Sequence, residues 1–254
     1  MNHEIIAQES DYGLIALYLK EGVLWDIEID SKKYPHHYGQ SITGRITKID
    51  TSLKASIVTA SDTTEYLLRN TSLPAGHQLD GIITKLSPNK IPEIKLHDTP
   101  ERKKSAIERL SERTNVDKII FEENIIDHFD LWPQIEDLLK TELETNEGRV
   151  SFEQTSALVA IDIDQSTQKS ALSSNIKLAK QIAQHIILRK LSGTIMIDFI
   201  RMPHKKQRND VEEKLKSALK TSPMPCHFHG YTHTGLYELT IERRDYPTAT
   251  LLKL

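Results

Sequence analysis

Hydrophobic and polar positions change rhythm along this 254-residue chain. Up to about residue 97 they alternate with the period of two expected of strands buried on one face. LIALYLK (14–20) and VLWDIEID (23–30) read as a hairpin within residues 5–30, with Glu21-Gly22 as its turn. Five short segments follow: GQSITGRITKID (39–50), KASIVTAS (54–61), TEYLLR (64–69), QLDGIITKLS (78–87) and PEIKLHD (92–98). Gly, Pro, Asn and Asp punctuate them, and the spacing suits a small antiparallel barrel of the OB type. A piece of a β-sandwich fits the same spacing.

Beyond residue 98 the period lengthens. TPERKKSAIERLSERTNVD (99–117) reads as a charged linker, helical from Pro100. KIIFEENII (118–126) reads as a strand, and LWPQIEDLLKTELET (131–145) as an amphipathic helix with Ile135, Leu138, Leu139 and Leu143 on one face. A strand is expected at 149–154. Then come ALVAIDID (157–164), a helix over 173–191 and GTIMIDFI (193–200). Ile176, Ala179, Ala183 and Ile186 form the helix's apolar stripe, Ser173 or Ser174 its cap, and Gly193 lies past its end. A second helix over 207–220 carries Val211, Leu215, Ala218 and Leu219. The tail reads as a hairpin, CHFHGYT and LYELTIER, turning near His233–Gly235. No repeat or low-complexity segment interrupts this order.

Composition narrows the class. With 38% apolar and 27% charged residues the chain reads as an ordinary soluble protein. No run approaches the ~18 apolar residues that span a bilayer. The N-terminus lacks a basic start and an apolar signal core, so a cytoplasmic protein without a membrane partner is expected. A single cysteine, Cys226, excludes an intramolecular disulfide and a multi-cysteine zinc site. A net charge of −3 argues against broad polyanion binding, so any such contact would use local patches such as Arg102–Lys104 or Arg201–Arg208.

The candidate chemistry lies in the strand–helix–strand unit. Asp162 and Asp198 take like positions near the ends of two apolar strands. A carboxylate among Ile, Val and Met is costly to bury without a partner. If the strands are parallel, the two carboxylates converge on one spot, as a hard cation such as Mg²⁺ requires. His227, His229 and His233 alternate but read as an exposed polar face. His36-His37 carries no clear geometry, Cys226 reads as a packed residue, and Trp25 and Trp132 as core.

These motifs resemble the ribonuclease E/G family. EQTSALVAIDID, SSNIKLAKQIAQHIILRKLSGTIMIDFIRM and TGLYELTIER are similar to its catalytic region, GRITKIDTSLKASIV to its entry into an RNA-binding barrel, and EGVLWDIEID to its N-terminal hairpin. The resemblance implies a mixed α+β chain in four parts. Residues 1–37 would form the hairpin of a ribonuclease-H-like subdomain, and 38–98 an inserted OB-fold RNA-binding domain. Residues 99–148 would be linker and subdomain remainder, and 149–254 a deoxyribonuclease-I-like catalytic domain. It implies an endoribonuclease cutting single-stranded RNA to 5′-phosphate and 3′-hydroxyl ends, with Mg²⁺ on Asp162 and Asp198. Asp164 stands where the family has asparagine and is a third candidate metal ligand. Asn175, Arg189 and, in the barrel, Arg45 and Lys90 correspond to RNA contacts. Ile57 replaces a base-stacking aromatic, and Tyr66 stands in for a second. Arg201 replaces an acidic residue, which leaves a non-catalytic RNA-binding relative as the alternative. The family's zinc-link and 5′ sensor have no counterpart here, so no zinc-linked tetramer is expected.

Overall fold

The computed structural model describes residues 3–88, 90–97, 102–165 and 170–252. Pro100, where the linker helix was expected to start, lies outside them.

Three strands open the chain: β1 (His3–Ser10), β2 (Gly13–Lys20) and β3 (Val23–Ser31). The β2–β3 turn uses Glu21 (φ 54°) and Gly22 (φ 78°), the pair of left-handed residues that a tight two-residue hairpin demands. β1 was missing from the sequence reading for a physical reason. Ile5, Ile6 and Ala7 are all fully buried, because both faces of the sheet are covered. Ile5 and Ala7 pack with Ala106 and Leu110 of helix α1 (Ala106–Thr114), whereas Ile6 joins the core shared with the barrel. α1 begins with a capping box, Ser105 and Glu108 each satisfying the other's backbone.

The five expected strands form a closed barrel: β4 (Ser41–Asp50), β5 (Ala55–Ala60), β6 (Glu65–Arg69), β7 (Gln78–Lys85) and β8 (Glu93–Leu96). Their order is β4-β5-β6-β8-β7, and β7 returns to β4. β6 and β8 run parallel and the other pairs antiparallel. Ile42, Ile46, Val58, Leu68, Ile83 and Ile94 fill the interior.

Between barrel and C-terminal half the sequence reading needs two corrections. Only Ile119–Phe121 forms a strand, β9, paired parallel to β1, and Ile125–His128 turns into a short helix, α2. The expected helix over 131–145 stops at Asp137 (α3, Trp132–Asp137), and Glu142–Glu144 becomes edge strand β10. Pairing of Leu143 with Val150 on the next strand overrides local helix propensity.

The C-terminal half is a six-stranded sheet in the order β10-β11-β12-β13-β15-β14. β11 spans Gly148–Gln154, β12 Leu158–Gln165, β13 Gly193–Asp198, β14 Cys226–Tyr231 and β15 Tyr237–Ile241. β12 and β13 are parallel neighbours, joined by α4 (Ala171–Leu188) as a crossover. Ser170 takes the N-cap position, so Ser173 and Ser174 lie inside the helix rather than capping it. α5 (Lys205–Leu219) packs beside α4, and Leu178, Ile182, Val211 and Leu215 meet Val159, Ile161, Ile195 and Ile197 of the sheet. The helices thus cover one sheet face. No helix among the described residues is long and apolar enough to cross a membrane.

Candidate functional site

Alternation along β12 and β13 sorts their side chains. Ile161, Ile163 and Ile197 enter the helix-covered core, so Asp162, Asp164 and Asp198 fall on the opposite, open face. The aspartates therefore do not sit among the apolar side chains that flank them in sequence. Asp162 and Asp198 are direct cross-strand partners, on the last rung of the parallel ladder. Neighbouring strands lie about 4.8 Å apart, which brings the two carboxylates to one place.

Neither Asp162 nor Asp198 has an ion-pair partner among the described residues. Partial burial, and then the charge of Asp162, push the Asp198 carboxyl above its ordinary value. A divalent cation would relieve that repulsion, and Mg²⁺ commonly takes one or two carboxylates and keeps its remaining positions for water and phosphate. The donor set fits such an ion. No group of three His, Cys, Asp or Glu side chains that could hold a metal occurs among the described residues. Asp164 shares the face but is held by Arg149 at 2.6 Å, across the β11–β12 rung. Replacing Asp162 with Asn is expected to return the Asp198 carboxyl toward its ordinary range, read by carboxyl-carbon NMR titration of metal-free protein. An unmoved titration midpoint would show that the pair is not coupled.

The loop leaving Asp198 is held from within. Asn175 is fully buried, and its amide donates to the Ile200 carbonyl (2.7 Å) and accepts from the Ile200 N–H (3.1 Å). Both ends of that side chain are used, so Asn175 positions the loop rather than contacting RNA. Arg189 is also buried. It donates to the carbonyls of Lys140 and Asp137 and lies 4.4 Å from the Phe152 ring centre. Burial lowers the Arg189 guanidinium to about 10. It ties the end of α4 to the α3–β10 turn instead of facing a ligand. Tyr66 is 1% exposed, inside the barrel with its ring against His36, and offers no stacking surface.

Other candidates stay on the surface. Arg45 and Lys90 are exposed, and Ile57 is half-buried. Arg201 is exposed beside Asp198, yet no ion pair joins them among the described residues. It lines a groove of about 980 Å³ that also takes in Asp198, Lys205, Arg208, Tyr231 and His233. Arg208 donates to the carbonyls of Met202 (2.8 Å) and Pro203 (3.3 Å) and fixes the turn into α5. The RMPHKKQR run was the signal for this groove; nothing local in the sequence marked Tyr231. His227 and His229 are exposed on β14, where His229 meets Thr240 (3.0 Å) and His227 meets Glu242 (3.6 Å). The other basic cluster is spent internally, Arg102 on Glu108 and Lys104 on Glu112.

The sequence model of the ribonuclease E/G family matches residues 55–244, three quarters of the chain and every site residue above except Arg45. The chain belongs to the ribonuclease E/G family. Ribonuclease G of Haemophilus influenzae is 36% identical over 103 residues, covering 38% of this chain and 21% of the relative. The chloroplastic ribonuclease E/G-like protein of Arabidopsis thaliana is 30% identical over 138 residues, 50% of this chain and 14% of the relative. Ribonuclease G of Escherichia coli K12 is 30% identical over 127 residues, 47% and 26% of the two chains. This family member therefore spans about a quarter or less of the length of these relatives.

Proposed function

We propose that this family member is a metal-dependent endoribonuclease acting on single-stranded RNA, with its reaction centre at Asp162 and Asp198. The observation that carries this reading is their pairing on the terminal rung of β12 and β13, on an open sheet face. Bound there, Mg²⁺ would supply a water of lowered pKa and neutralise charge on the phosphoryl oxygens. The two aspartates would contribute the anionic charge that holds the ion. Asn175 keeps the Ile200 backbone in place, so Asp198 stays on its rung. Arg201, Lys205 and Arg208 line the adjoining groove and balance phosphate charge. Attack of water on the phosphorus breaks the P–O3′ bond; the 3′ oxygen leaves with a proton from the water as the 3′-hydroxyl end, and the phosphate stays on the 5′ oxygen of the downstream product.

The closed barrel, with its order β4-β5-β6-β8-β7, serves in this reading as an OB-type guide for the strand. Arg45 and Lys90 supply phosphate contacts on it. Replacing both with Ala is expected to lower the log–log salt slope of RNA binding by about 1.4, at about 0.7 per phosphate contact on single strands. An unchanged slope would move the RNA path off the barrel.

The deciding experiment is cleavage of an end-labelled, unstructured RNA with and without Mg²⁺. Metal-dependent cuts with 5′-phosphate ends are expected. Binding without cleavage at any Mg²⁺ concentration would make the chain a non-catalytic RNA-binding relative instead.

A further inference from the structure

We propose that the seam between the N-terminal hairpin and the α4–α5 pair is a second binding surface for single-stranded RNA, distinct from the groove at Asp198; this rests on the RNA reading above. The seam encloses about 730 Å³, and its lining includes Lys20, Trp25, Lys180, Gln181, Gln184 and Lys214. It shares no lining residue with the groove at Asp198. Its walls are joined directly, because the Gln184 amide donates to the Leu24 carbonyl at 2.9 Å.

The sequence reading placed Trp25 in the core, and the structure does not. Its neighbours Leu24 and Asp26 are buried, whereas Trp25 is 41% exposed on the alternate face of β3. The Lys20 ammonium lies 5.0 Å from its ring centre. An exposed indole on a strand flanked by cations is the combination that single-stranded nucleic acids use, bases stacking on the ring and phosphates tracking the charges.

The lysines of the seam have no counter-ion among the described residues. Asp26 is the one carboxylate among the described lining residues, and Arg113 binds it at 2.8 Å. No ion pair reaches Lys20, Lys180 or Lys214 among the described residues. Lys180 of α4 and Lys214 of α5 both line the seam, and the nearness of Lys180 lowers the Lys214 ammonium below its ordinary value. Two buried polar atoms of the seam's residues also lack partners among the described residues, the Gln181 Oε1 acceptor and an Arg113 Nη2 donor. Both residues line the seam, and they match the hydrogen-bonding edges of a base or the ribose hydroxyl. In a chain of net charge −3, this concentration of unpaired positive charge beside an exposed ring selects a polyanion with aromatic bases.

The test uses full-length protein carrying Asp162→Asn, so that bound RNA is not cut, and a fluorescently labelled, unstructured RNA. Trp25→Ala is expected to weaken binding about tenfold, the loss of one stacked base. Trp25→Phe should recover part of that loss. Replacing Lys20, Lys180 and Lys214 together with Ala should lower the log–log salt slope by about 2. Unchanged affinity and slope in these variants, with the parent binding RNA, would overturn the seam and leave the proposed reaction centre standing. A parent that binds no RNA would overturn both. In Trp132→Phe protein, AMP that quenches Trp25 fluorescence as strongly as RNA at equal nucleotide concentration would assign the seam to free nucleotides and overturn the RNA proposal.

Discussion

Asp162→Asn and Asp198→Asn are each expected to reduce Mg²⁺-dependent RNA cleavage by about a thousandfold while leaving the fold unharmed. Removing one anionic ligand would weaken the hold on the proposed cation, and the several kcal/mol of charge stabilisation it would supply at the phosphoryl group would be lost with it. The fold should tolerate the change because both side chains lie on the open face and repel each other. Relief of that repulsion is expected to leave the melting temperature equal or slightly higher. Asp164→Asn should cost far less activity, since Arg149 already engages that carboxylate. Initial rates across a Mg²⁺ titration, with thermal melts of each variant, decide the matter. Wild-type rates in either of the first two variants would remove the proposed centre.

The largest expected effect on stability belongs to Glu28, far from the chemistry. This buried carboxylate meets Arg113 at 2.8 Å and both Arg109 and Lys190 at 3.1 Å. Lys190 also binds Asp245, so one network joins β3, α1, the residue after the α4 cap and the C-terminal segment. Burial disfavours the Glu28 charge, but Lys190, Arg113 and Arg109 outweigh it and hold the carboxyl well below the usual range. Glu28→Ala would leave three clustered cations, Arg109, Arg113 and Lys190, with one carboxylate each (Asp30, Asp26 and Asp245) and no shared one, a loss of about 3 kcal/mol. At about 2–4 °C per kcal/mol for a chain of this size, the melting temperature should fall by roughly 10 °C. A depressed carboxyl contributes stability that is complete above its unfolded pKa of about 4.3 and is lost as pH falls below it. Wild-type protein should therefore lose stability in acid more steeply than Glu28→Gln. Asp26 does not share this behaviour: burial outweighs Arg113, and its carboxyl is raised. Parallel acid-dependent slopes in wild type and Glu28→Gln would refute the account.

What local periodicity could carry, it carried. The barrel strands have one buried and one exposed face, so alternation marked all five. The β12–α4–β13 unit was legible because its helix has an apolar stripe and its two apolar runs are short. Asp162 and Asp198 were visible as charges out of keeping with those runs, and the structure supplied the parallel register that the sequence left conditional. Strand β1 escaped because burial on both faces erases alternation, and β10 escaped because pairing with β11 overrode a helical-looking segment.

The roles of single polar and aromatic residues lay beyond local pattern. Trp25 and Tyr66 exchange their expected places: the indole faces solvent and the phenol ring fills the barrel. An amide or guanidinium in a sequence does not reveal its partner. Asn175 finds its own 25 residues away at Ile200, and Arg189 finds carbonyls 49 and 52 residues away. The sequence by itself determined which side chains alternate toward a core and which two aspartates stand at matching strand ends. Only the tertiary structure decided that the aspartates lie on an open face, that Asn175 and Arg189 are buried, and that Arg201 stands beside Asp198 without an ion pair between them. Face is set by neighbours two residues apart, whereas burial and pairing depend on contacts that only folding brings together.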